Sequence, residues 1–217
     1  MLFNYNKEVE IVILLLVLIY SAILHEIAHG YVAERLGDPT ARLLGRLTLN
    51  PKPHIDPIMS IFLPLILILS GSPVIFGAAK PVPVDPFNLK DGRKDLALVS
   101  LAGPATNVLI AFIAAIAIKA IGFFPLGEAQ VFIYYVLGLV VRLNLLLAIF
   151  NLIPIPPLDG SKIFALILPE KEAASYLSIG FIGIFILFFL LMFPIGGFSL
   201  GEAIFNLLTF SEHLLGL

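Results

Sequence analysis

The sequence predicts an all-α polytopic membrane protein. Of its 217 residues, 59% are hydrophobic and only 13% are charged, whereas soluble domains carry about 25% charged residues. Mean hydropathy is +1.05. Three apolar runs, 11–33, 96–118 and 131–153, reach the ~20 residues that a ~30 Å hydrocarbon core requires. The expected architecture is three full spans, a re-entrant segment, a short membrane-associated β element and one or two C-terminal helices.

The first run, 11–33, holds His25, Glu26 and His29. Ionisable groups inside a span are costly and mark function. At ~1.5 Å per residue they lie roughly 21 to 27 Å along the helix, within the membrane but toward one face. A polar stretch follows with Arg35, Asp38, Arg42, Arg46, Lys52, His54 and Asp56. The run 58–69 is interrupted by Pro64 and is short for a span, which suits a re-entrant segment. Residues 74–84 are rich in Val, Pro and Gly and read as one or two strands, with Pro81 and Pro83 at an edge.

The second full run carries Gly103, Pro104 and Asn107, and the third carries Arg142, Asn144 and Asn151. The third ends in the turn Pro154-Ile155-Pro156-Pro157-Leu158-Asp159-Gly160. Residues 177–193 read as a plain Phe- and Leu-rich span stopped by Pro194, and the tail 198–217 is mildly amphipathic, reading as an interfacial helix or a further span. If the first run ends in the cytoplasm, the third must return Asp159 to that side. Arg35, Arg42, Arg46, Lys52, Lys80, Lys90, Arg93, Lys94, Lys162 and Lys171 are then cytoplasmic, with Lys7 and Lys119 opposite. That distribution obeys the positive-inside rule. A net charge of −2 without a basic block excludes a nucleic-acid partner, and the absence of cysteine excludes disulfides and thiolate metal sites.

His25-Glu26-Ile27-Ala28-His29 is an H-E-x-x-H motif. On a helix its two imidazoles lie one turn apart on one face and can grip one metal ion. Glu26 beside them is placed as general base toward a metal-bound water. A catalytic zinc site needs a third protein ligand, for which Asp159, His54, Asp56 and His213 are candidates. Asp159 is preferred, because its span returns to the same face and three prolines and Gly160 make its turn rigid.

Three segments together, His25 to His29, Gly103-Pro104-Ala105-Thr106-Asn107, and Asn151-Leu152-Ile153-Pro154 through Leu158-Asp159-Gly160, resemble the signatures of the site-2 proteases. These are zinc intramembrane metalloproteases. The resemblance implies one transmembrane protease domain over 1–217, with a three-helix catalytic core within 11–160 and C-terminal helices within 172–217. It implies one Zn2+ per chain held by His25, His29 and Asp159, with Glu26 as base and Asn151 as oxyanion donor. It further implies a multi-pass protein of the cell membrane, surrounded by lipid, whose substrates are transmembrane helices of other proteins. The chain looks like the minimal form, without room for a PDZ insertion or a nucleotide-binding module.

Asn107 is expected to pack helices, orient a ligand or bind substrate backbone. His54 is expected to reach the metal, line a water path or sit in a surface loop. Residues 74–84 are a candidate for strand addition to an unwound substrate. Two rival readings use the same fold: a catalytically silent membrane scaffold, and a zinc carrier.

Overall fold

A computed structural model of the chain describes residues 7–62, 66, 69, 79–124 and 127–217. Three long helices dominate: α1 (Lys7–Leu36), α3 (Arg93–Ile121) and α4 (Glu128–Asn151), with the short α2 (Thr40–Leu43) between the first two. All three are long and apolar enough to cross a membrane. They contain nearly all of the runs 11–33, 96–118 and 131–153, because uninterrupted apolar sequence is itself the helix signal in lipid. The 30 residues of α1 reach roughly 45 Å.

α3 lies against both α1 and α4. Its Ala111, Ala114 and Ala115 pack on Val141 and Leu145 of α4. Small residues permit this close approach where no hydrophobic force separates helices from lipid. α1 is buried only in its second half, at Ser21, Ile23, His25, His29, Gly30 and Ala33. Its first half presents Ile11, Val12, Leu15 and Leu16 outward, as a lipid-facing helix should.

The C-terminal region departs from expectation. Residues 177–193 do not form one straight span; α6 (Glu170–Leu177) and α7 (Ile182–Met192) meet at a 75° bend. The break contains Gly180 at a left-handed φ of +48°, and just beyond it a Cβ on Gly183 would lie 1.7 Å from the Pro156 carbonyl oxygen. α7 thus begins beside the turn after α4, and its 11 residues reach only roughly 16 Å. The tail forms α8 (Leu200–Leu214), capped by the Ser199 hydroxyl accepting from the Glu202 N–H. It docks on α4, with Leu208 joining the α3–α4 core and Glu212 accepting from Arg142 at 3.2 Å.

The predicted β element is corrected as far as the structure describes it. Among the described residues there is an isolated bridge between Ile195 and Phe198 and no strand. Residues 79–84 run without a ladder, since Pro81 and Pro83 have no N–H to give one; residues 74–78 lie outside the described part. Of the predicted re-entrant run, Pro57–Phe62 forms a π-helical turn and the remainder is mostly outside the described residues.

Candidate metal centre

Local sequence explains how three distant residues meet. The i, i+4 spacing puts His25 and His29 on the buried face of α1, their rings edge to face at 4.6 Å. α3 comes close enough to back them because residue 103 is glycine. A Cβ there would fall 2.5 Å from His29 Nε2 and 2.6 Å from His25 Nε2. Asp159 opens α5 (Asp159–Phe164) directly after the proline turn. Gly160 is required beside it, because a Cβ there would lie 2.2 Å from the Leu152 carbonyl oxygen.

Each ring is fixed by a hydrogen bond from its far nitrogen. His25 Nδ1 donates to Asn107 Oδ1 at 2.5 Å, and His29 Nδ1 donates to the Val99 carbonyl at 2.6 Å. With Nδ1 protonated in both neutral rings, both Nε2 atoms carry lone pairs. These lone pairs face each other at 3.0 Å and face Asp159 Oδ2 at 3.1 and 3.2 Å. Three acceptors converging without a proton between them repel unless a cation lies among them. The separations are close to the roughly 3.3 Å that two ligands of a tetrahedral zinc at ~2.0–2.1 Å would show. The donor set therefore fits zinc. His25, His29 and Asp159 are all buried. The second Asp159 oxygen, Oδ1, accepts from Lys162 Nζ at 3.2 Å, which leaves Oδ2 for the metal.

Behind the rings runs a buried polar chain. Asn107 Nδ2 donates to Asn144 Oδ1 at 2.8 Å, and Asn144 Nδ2 donates to Ser21 Oγ and to the Val140 carbonyl, each at 2.8 Å. Asn107 and Asn144 are both fully buried. Asn107 thus contacts His25, one of the three clustered residues, and is itself held by Asn144. Asn144 and Ser21 had no sequence signal beyond being polar within a span.

Glu26 follows His25 directly in α1, its Oε2 accepting from the Val82 N–H at 2.6 Å. Asn151 is half-buried and turned to its own helix, Nδ2 donating to the Leu147 carbonyl at 2.9 Å. His54 is neither in a surface loop nor in the ligand group. It is buried, with Nε2 donating to the Thr48 carbonyl at 2.9 Å. Arg46, which sequence reasoning did not single out, is buried as well and donates to the Lys80 and Pro81 carbonyls. Burial draws its guanidinium below the usual range, and the negative charge of Glu26 acts in the opposite sense.

The chain is similar to known proteins. Residues 123–194 match the model of peptidase family M50. The chain is 36% identical over 195 residues to the Bacillus subtilis protein named "Putative zinc metalloprotease YwhC", covering 86% of this chain and 83% of that one. It is 31% identical over 197 residues to "Putative zinc metalloprotease Rip2" of Mycobacterium tuberculosis, covering 89% and 73%. A Methanocaldococcus jannaschii protein, "Putative zinc metalloprotease MJ0611", matches over 92 residues at 35% identity, covering 42% and 45%. No solved structure matches. The apolar helices and these relatives together mark a membrane metalloprotease. The chain belongs to peptidase family M50, the site-2 protease family.

Proposed function

We propose that this chain is a zinc endopeptidase that hydrolyses peptide bonds within or near transmembrane segments of other membrane proteins. The observation that carries the reading is the convergence of His25 Nε2, His29 Nε2 and Asp159 Oδ2 beside Glu26, inside a helical core. Bound there, zinc supplies Lewis acidity to the attacking water and to the scissile carbonyl. Glu26 takes the proton of that water and returns it to the leaving amine. Asn151 stabilises the oxyanion once its amide exchanges the Leu147 carbonyl for substrate. A substrate helix must unwind to be cut, since its peptide groups are otherwise hydrogen-bonded internally. The basic flanks of the spans support a cell-membrane protein with its active site toward the cytoplasm.

The test is zinc content and cleavage of a transmembrane substrate by detergent-purified protein, beside Glu26→Gln and Asp159→Ala. One zinc per chain is expected in the unaltered protein and in Glu26→Gln, with cleavage by Glu26→Gln reduced about 10²–10⁴-fold. Asp159→Ala should lose most of its zinc. Cleavage indifferent to Glu26→Gln would overturn the peptidase reading, and zinc-loaded protein without any cleavage would favour the scaffold. Full zinc in Asp159→Ala would remove that residue from the ligand set.

A further inference from the structure

The segment 79–84 reads Ala79-Lys80-Pro81-Val82-Pro83-Val84. Proline on both sides makes Val82 unusual: Pro81 and Pro83 have fixed φ, and a residue before proline is held extended. Between the two prolines the backbone can offer one N–H, and that N–H belongs to Val82. It is donated to Glu26 Oε2 at 2.6 Å, across 56 residues of sequence.

Everything around this donor holds it in place. Arg46 Nη2 grips the two carbonyls before it, Lys80 O at 2.7 Å and Pro81 O at 3.2 Å. The Lys80 N–H donates to the His54 carbonyl at 2.8 Å, and His54 is pinned in turn by the Thr48 carbonyl. The Val82 side chain is buried against α1 at Gly30. A Cβ on Gly30 would stand 2.9 Å from Val82 Cγ1 and closer still to Leu47 and Ala41. Gly30 is one helical turn beyond Glu26, so a bare backbone at 30 is what lets the segment lie on the helix beside the carboxylate.

We infer that Arg46, acting through the Lys80 and Pro81 carbonyls and the Val82 N–H, is a positioning residue for Glu26. The clamp occupies Oε2, so Oε1 is the oxygen left to exchange a proton with water and the leaving amine. This rests on the peptidase reading for its consequence, though the contact itself does not. A general base must stay within hydrogen-bond reach of its proton, and a displacement of about 1 Å can cost on the order of 10²-fold in rate. Arg46 thereby links the polar loop 37–57 to Glu26.

Two variants at one position separate the N–H from the side chain. Val82→Pro removes the donor and keeps bulk, whereas Val82→Ala keeps the donor and removes bulk. The expected result is a kcat on the order of 10²-fold lower in Val82→Pro, well below that of Val82→Ala, with KM little changed and zinc at one per chain. Arg46→Gln should lower kcat in the same manner, and Arg46→Lys, which retains a cation and donors, should recover part of it.

A second readout needs no activity. In valine-labelled protein, the Val82 amide proton should resonate downfield and move upfield in both Glu26→Ala and Arg46→Gln. If that resonance ignores both substitutions, or if Val82→Pro cleaves as well as Val82→Ala, the clamp is overturned while the peptidase reading stands. If the resonance responds and the unaltered protein cleaves nothing, the contact stands and the peptidase reading falls.

Discussion

Asn107 illustrates how much a single buried amide can determine. By accepting from His25 Nδ1 it leaves the other nitrogen of that ring for a metal, and by donating to Asn144 it fixes its own orientation. Removing such a partner of a ligating histidine costs about 10–100-fold in metal affinity. Asn107→Ala should therefore bind zinc in that proportion more weakly in competition with a calibrated chelator, while remaining folded. An unchanged affinity would assign the amide to helix packing alone. The motif H-E-x-x-H was legible because its chemistry depends on local spacing. Orienting a ligand was among the roles expected of Asn107, but the partners of Asn107 and Arg46 were not legible, since they lie 82 and 34 residues away, and no periodicity identifies such a partner.

At the scale of elements, the spans and the aspartate turn were legible from apolar length and proline content. The bend between α6 and α7 was not, because apolar length does not tell which glycine of the run turns left-handed, as Gly180 does, or which meets another element, as Gly183 does. Residues 79–84 resembled a strand by composition, yet their polar groups are taken up by side chains and loop backbone. The join between α1 and the loop that follows this segment depends on Asp38. Fully buried, it accepts from the Asp85 N–H at 2.7 Å, the Asn88 side-chain amide at 3.0 Å, and both the N–H and hydroxyl of Thr40.

Burial pushes the Asp38 carboxyl up, but these hydrogen bonds together outweigh it and hold it below the ordinary range. A depressed native pKa means that its contribution is complete above the unfolded value of about 3.9 and is lost as pH falls through the native one. Asp38→Asn should thus be less heat-stable at neutral pH, by about 1–3 kcal/mol. The gap between the two proteins should close on acidification below about pH 4. Thermal unfolding in detergent across that range checks both the sign and the window; a gap independent of pH would contradict the account.

For the molecule as a whole, the three spans set the class and a few polar atoms set the chemistry. The chain has no cysteine, and its core is built from small apolar contacts between helices that lipid does little to drive together. Against that background the meeting of His25 with Asp159 joins points 134 residues apart. An ion bridging them would close a loop of that length, as a disulfide does in a secreted domain. Relieving the mutual repulsion of three lone pairs adds to the effect. Chelation should then lower the melting temperature in step with the loss of zinc, and readdition should restore both along one titration curve. A melting temperature indifferent to zinc would mean that the helices hold the site unaided. In architectural terms the ion is the tie-beam of the bundle: a fold with no covalent crosslinks of its own takes one on when it takes on its catalyst.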